Sequence, residues 1–250
     1  MDYFAYKGPV DKDRIYQLLD ELLHLVHAGF LKTDISSADL AIIRSHLHIE
    51  IGLCAALVGT ELDVEGVTAA FFARVEGIIE LLSGDLEAIF EGDPAADSSF
   101  EIVLAYPGFY AISVYRLAHE LALLEVPLLP RIMAERAHSL TGIDINPRAK
   151  IADHFFIDHG TGIVIGETCI IGSYVKLYQG VTLGALSTRG GQCLKGVARH
   201  PLIEDRVTIY AGASVLGNVR IGEGSTLGSN VFITTDVEPG RKVAAQPISL

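Results

Sequence analysis

The sequence predicts an α+β chain in two parts, an α-helical half followed by a parallel β-helix, and three observations carry that reading. Apolar residues in the first half recur at helical spacing. In the second half they recur every six residues. The charge divides at the same place, with nine Lys/Arg against 22 Asp/Glu over 1–140 and ten against nine over 141–250. The expected domains are therefore 1–140 and 141–250, with a loop at 184–202 extruded from the second.

The helical half is read from its stripes. From Ile15 the apolar positions fall at 15, 18, 19, 22, 25 and 26, the spacing of a one-sided helix. After Ser36 and Ser37, either of which suits an N-cap, Leu40, Ile43, Leu47, Ile51 and Cys54 form a second stripe. A third is read as one helix through Phe71, Val75, Ile78, Leu82, Leu86 and Ile89, ending where Gly92 and Pro94 break the pattern. A fourth begins after Tyr106-Pro107-Gly108 and is interrupted at Pro127 and Pro130, and a short last helix spans about 131–139. Cys54 on its stripe reads as a small core residue.

In the second half an aliphatic leads every six-residue unit at Ile203, Ile209, Val215, Ile221, Leu227 and Ile233. A small or β-branched residue holds each fifth place: Val207, Ala213, Val219, Ser225, Val231 and Val237. The frame recurs earlier at Ile145, Ile151 and Ile157, then at Ile165, Ile171, Leu177 and Leu183 with Cys169, Val175 and Val181 in fifth place. A period of six is too short for a helical repeat. It fits a parallel β-helix whose short strands each send an aliphatic inward and whose coils bury one another. Most of these residues are scaffold, so function is expected where the pattern breaks. From Ile157 to Ile165 the step is eight, with two extra residues entering at DHGTG. From Leu183 to Ile203 it is twenty, two beyond three repeats, and the segment between shows no repeat and reads as a loop.

Bulk properties narrow the function classes. A net charge of −12 without a basic run argues against a nucleic-acid partner. No uninterrupted apolar run approaches the roughly 20 residues of a membrane span, and no basic-then-apolar leader opens the chain, which reads as cytoplasmic. Cys54, Cys169 and Cys193 are too widely spaced for a disulfide framework or a metal motif. His159 stands at the first break, after Asp158. A turn histidine is usually structural, yet a neutral imidazole is also the side chain suited to taking a hydroxyl proton near neutral pH.

The motifs DINPRAKI, FIDHGTGIVIGET, YQGVTLG, RHP and TIYAGASVLGNVRIGEG, set on a hexapeptide array, resemble those of serine acetyltransferases. That family makes O-acetylserine from serine and acetyl-CoA in cysteine biosynthesis. The resemblance covers Asp93 to Pro247 and implies a left-handed coil, an oligomerising helical domain, and homotrimers that often pair into dimers of trimers. It makes His159 the general base, Asp144 of DINP its dyad partner, and attack by serine direct, with no acetyl-enzyme. The serine ammonium would meet Asp93 and Asp158, and its carboxylate Arg199 and His200, the pairing a zwitterion requires. Acetyl-CoA would lie against Ala185, Ala211 and Ser229, with Arg241 and Lys242 reaching its phosphates, and no metal takes part.

The chain departs from the family pattern at several positions. Ala185 stands for a glycine and Ser229 for an alanine, Asn146 and Tyr110 stand where histidine is common, and the loop after Gly184 is longer than usual. Relatives that dock into cysteine synthase use a longer tail ending in isoleucine, so a short tail ending in Leu250 leaves that partnership open.

Other readings use the same coil. A hexapeptide acetyltransferase for a sugar or another hydroxy amino acid would keep the base and change the acceptor, although Arg199 and His200 favour an acceptor with a carboxylate. A zinc-dependent hydratase would need His154, His159 and His200 to converge. A scaffold without chemistry would have no use for Asp144, Asp158, His159, Arg199 and His200 together.

Overall fold

The computed structural model describes residues 9–244, so the tail that bears on cysteine synthase lies outside the described residues. The helices are α1 (Lys12–His27), α2 (Ser37–Val58), α3 (Val64–Phe72), α4 (Val75–Gly92), α5 (Ser99–Ala105), α6 (Pro107–Leu123) and α7 (Leu129–Thr141). Ser36 and Asp39 form a reciprocal capping box at the start of α2, which satisfies two of its free amides. The first two predicted stripes are buried through Ile15, Leu18, Leu19, Leu22 and Val26, and through Ile43, Leu47, Ile51 and Cys54, while Leu40 stays exposed. Helix α2 is long and apolar enough to cross a membrane, but it packs on α1, α3 and α7.

The third stripe is two helices rather than one. The chain turns at Ala73-Arg74, so Phe71 belongs to α3 and Val75 to Ile89 belong to α4. Phe71 and Ile78 are both buried, so an apolar spacing that fits one helix persists across a break. Helix α5, capped by Ser98, occupies a stretch with no predicted element. Helix α6 begins with Pro107 at its first position, where the missing N–H costs nothing. Helix α7 extends two residues beyond 131–139 at each end and stops at Gly142, whose φ of 71° is left-handed.

Three parallel sheets form the faces of a prism. Face one holds β1 (Asp144–Ile145), β4 (Val164–Ile165), β7 (Thr182–Gly184), β10 (Ser214–Leu216) and β13 (Phe232–Ile233). Face two holds β2 (Lys150–Ile151), β5 (Ile170–Ile171), β8 (Leu202–Ile203) and β11 (Arg220–Ile221). Face three holds β3 (Phe156–Asp158), β6 (Lys176–Tyr178), β9 (Thr208–Ile209), β12 (Thr226–Leu227) and β14 (Lys242–Val243). The lead residues stack in register, with Ile165 on Leu183 on Val215, Ile171 on Ile203 on Ile221, and Leu177 on Ile209 on Leu227. The fifth-place residues Val207, Ala213, Ser225 and Val231 are buried beside them.

Two details of the repeat differ from its arithmetic. Leu183 and Ile203 are successive lead residues on adjacent faces, so the loop is one enlarged corner and not three repeats plus two. Val237, expected in a fifth place, bridges Ile221 and takes a lead position, which shortens the last coil by two residues.

The helical half is bolted to the first coil. Asp85 and Arg116, both buried, pair through two bonds of 3.0 Å. Asp85 also accepts the Phe155 amide at 2.8 Å, and Arg116 donates to the Ile151 and Ala152 carbonyls at 2.6 Å. The Tyr115 hydroxyl donates to the Ala149 carbonyl at 2.7 Å and accepts the Ile151 amide at 3.1 Å. Each charge and hydrogen-bonding group is matched, which is the condition under which a buried ion pair is tolerated.

Candidate active site

The predicted residues lie on the edges of the prism, where one face turns into the next. At the edge from face three to face one, the second, third and fourth coils turn through one left-handed residue each: Gly180, Gly212 and Asn230. The first coil uses three, His159 (φ 57°), Gly160 (φ 84°) and Gly162 (φ 83°), because two more residues must be accommodated. A Cβ on Gly160 would come within 2.4 Å of Ile143 Cδ1, so only glycine fits there. The bulge turns His159 outward, leaving its side chain 69% exposed with Nδ1 3.4 Å from Asp158 Oδ1.

Helix α4 delivers Asp93 to the same edge. A Cβ on Gly92 would lie 2.8 Å from Phe156 Cε2, so the helix end sits directly against β3. The Asp93 carboxylate accepts the Tyr106 hydroxyl at 2.7 Å and the Ala95 amide at 2.8 Å. These two donors, with His159 nearby, hold its carboxyl below the usual range, and the same bond pushes the Tyr106 phenol up to about 12. Tyr178, paired with Asp158 along the ladder, stacks on Tyr210 with ring centroids 5.0 Å apart. Asp144 is half-buried on β1, and among the described residues no hydrogen bond or ion pair joins it to His159. The carboxylate beside the imidazole is Asp158.

Arg199 and His200 stand on a different edge, from face one to face two, where the long loop rejoins the coil. Thr168 is the hub there. Its hydroxyl accepts the Arg199 and His200 amides at 3.0 and 3.1 Å and lies 2.8 Å from His200 Nδ1, while its own amide donates to Nδ1 at 3.1 Å. The imidazole proton therefore sits on Nε2. Burial, then the neighbouring Arg199 charge, pushes His200 below its ordinary pKa. Gly166 makes the room, since a Cβ there would fall 2.1 Å from His200 Cδ2. The Arg199 guanidinium binds Glu167 and the carbonyls of Leu194 and Val197. Between the loop and Glu167 lies a cavity of about 250 Å³ lined by Arg199 and Lys195.

The expected coenzyme positions divide in the same way. Ala211 and Ser229 lie on the His159 edge in later coils, and Ala185 follows β7 on the His200 edge. Arg241 and Lys242 are exposed on the last coil. Within one chain the structure thus brings Asp93, Asp158 and His159 together and leaves Arg199 and His200 apart from them. His154 sits on the third edge, packed against Gly84, so the three histidines of the zinc reading occupy three edges. Among the described residues no three His, Cys, Asp or Glu gather as a metal site. Cys169 is buried and its thiol is pushed up to about 12, which leaves it no nucleophilic character. Sequence reasoning missed Tyr106, Tyr178, Thr168 and Gly166. Gly166 and Thr168 had a signal in the GET that follows the first break, and Tyr178 one in YQGVTLG, whereas Tyr106 had none.

The site is thus an outward histidine at a two-residue bulge in the first turn of a short-stranded, three-faced coil with six-residue periodicity. Residues 200–235 match the bacterial transferase hexapeptide model, and residues 49–114 match the N-terminal domain model of serine acetyltransferase. A plasmid-borne serine acetyltransferase of Synechococcus elongatus is 53% identical over 185 residues, a match spanning 73% of this chain and 58% of that one. The serine acetyltransferase of Mycobacterium tuberculosis is 44% identical over 68% of this chain and 72% of its own. Among solved structures, serine acetyltransferase isoform 3 of Entamoeba histolytica, in complex with cysteine, superposes with a TM-score of 0.81 at 35% identity, covering 93% of this chain and 82% of that one. The Neisseria gonorrhoeae enzyme in complex with serine gives 0.66 at 28% identity, covering 99% of each chain. The chain belongs to the serine acetyltransferase family, and so to the acyltransferases.

Proposed function

We propose that this chain transfers the acetyl group of acetyl-CoA to the hydroxyl of L-serine, giving O-acetyl-L-serine and CoA for cysteine biosynthesis. The observation that carries the proposal is the His159 bulge, an exposed imidazole flanked by the Asp158 and Asp93 carboxylates on a coil of this family. The carboxylates suit the serine ammonium, and the imidazole takes the hydroxyl proton as the oxygen attacks the thioester carbonyl. The tetrahedral adduct expels the CoA thiolate, which recovers the proton from the imidazolium, so no acetyl-enzyme forms. Asp158 is the immediate orienter of the ring, and Asp144 would join it on closure around substrate.

Arg199 and His200 serve the serine carboxylate from the neighbouring copy. One chain holds them on a different edge from His159, and a closed trimer sets the His159 edge of each prism against an edge of the next. Acetyl-CoA as co-substrate runs along the same seam past Ala211 and Ser229 of one copy and Ala185 of the other, with Arg241 and Lys242 near its phosphates. The active form is a homotrimer or a dimer of trimers in the cytoplasm.

The test follows thiol release from acetyl-CoA with L-serine, homoserine or a galactoside as acceptor. Serine-dependent release supports the reading. Release with the galactoside and not with serine would move the chain to an acetyltransferase for another acceptor, and release with none would overturn the chemistry.

A further inference from the structure

Asp93 and Tyr106 are brought together by a short excursion of the helical half. Asp93 follows the last residue of α4, and Tyr106 is the one residue between α5 and α6, extended at φ −81° and ψ 118° and followed by Pro107. That arrangement gives the Tyr106 backbone little freedom, because proline restricts the residue before it to extended conformations. The phenol donates to Asp93 Oδ2 and the Ala95 amide to Oδ1, so each oxygen has one donor and one direction left open. Asp158 is at the same edge, paired with Tyr178 along the ladder.

We propose that Tyr106 is a positioning residue for the acceptor's ammonium group, its phenol locking the Asp93 carboxylate in the orientation that meets the ammonium without itself touching the reacting atoms. The inference rests on the reading that Asp93 receives the ammonium of serine. It also assigns a role to the helical half: the α5–α6 junction sets one wall of a site whose base belongs to the coil.

The experiment compares Tyr106→Phe, Asp93→Asn and the double variant in the full chain. Tyr106→Phe is expected to raise KM for serine about tenfold, the scale of a lost hydrogen bond to a charged group, with kcat and the KM for acetyl-CoA within about twofold. The acid limb of kcat/KM for serine should move to higher pH, and in the Asp93→Asn background Tyr106→Phe should add nothing. With 3-hydroxypropionate, which keeps the hydroxyl and carboxylate but lacks the ammonium, wild type and Tyr106→Phe should be equal. Additive effects, or a fall in kcat at unchanged KM, would overturn the inference by making Tyr106 merely structural. Titration of the Asp93 carboxyl by NMR without substrate separates the two possible failures. A shift to higher pH in Tyr106→Phe, with no serine transfer by wild type, sinks the functional reading and leaves the Tyr106–Asp93 lock standing. An unmoved titration sinks the lock.

Discussion

The His159 and His200 edges solve opposite problems with similar residues. At the His159 edge three left-handed residues, His159, Gly160 and Gly162, push an imidazole out into solvent with the Asp158 carboxylate at its side. At the His200 edge the imidazole is drawn in, roofed by Gly166 and held by Thr168, with its charge disfavoured by burial. The contrast is what favours His159 over His200 as the base in the proposed reaction. A proton acceptor must be reachable and must change state, whereas a binding residue gains from being fixed in one state before the ligand arrives.

Breaking the comparison begins with the largest effect. His159→Ala should lower kcat by about 100- to 10,000-fold, the usual worth of a general base. Its stability should stay within about 0.5 kcal/mol of wild type, because the side chain packs on little. His200→Ala should lose activity and also about 1–3 kcal/mol of stability by orphaning the Thr168 groups. Steady-state kinetics beside denaturant titration separates these outcomes. Next comes a mixing experiment. If the two edges meet between subunits, refolding inactive His159→Ala with inactive Arg199→Ala chains in equal amounts should restore about a quarter of wild-type activity through hybrid trimers. No recovery would place both edges in one chain's site and refute the composite arrangement.

Gly166→Ala sharpens the contrast through packing. The new methyl would overlap the buried imidazole and should cost about 1–3 kcal/mol, read as a lower melting midpoint together with a raised KM for serine. Gly162→Ala, on the other edge, meets its nearest atom at 3.5 Å and should cost only the strain of a left-handed alanine, about 1 kcal/mol. The smallest effect is acid-dependent and belongs to the buried side of the comparison. His27, stacked on Phe109 and bonded to Ser113, is lowered by burial from 6.5 to about 4. Its unfolded form takes up a proton first, so stability is complete above about pH 6.5 and is lost as pH falls toward 4. Between pH 7 and 5.5 that loss is about 1 kcal/mol, and His27→Gln should flatten this part of the pH–stability curve.

The coil was legible because its period is enforced residue by residue: every lead aliphatic faces a core one side chain wide, so a missed position would leave a void. What the repeat could not convey was how its gaps are distributed. Twenty residues between Leu183 and Ile203 fit three repeats and two more by arithmetic, but only strand pairing reveals that the whole segment is one corner. The α3–α4 break was invisible because Phe71, Val75 and Ile78 keep helical spacing across a turn with neither glycine nor proline. For the site, a two-residue insertion announced His159. Tyr106 announced nothing, since its contact with Asp93 depends on the path of α5, an element with no stripe to reveal it.

The Asp85–Arg116 pair has a consequence for how the molecule ends. A stacked coil finishes in open rungs, and unpaired rungs invite another chain to continue the stack. By capturing the Phe155 amide and the carbonyls of Ile151 and Ala152, the helical half lays a lid of matched polar groups across the first rung. It acts as a stopper, fixing where the ladder begins and denying that end to further growth.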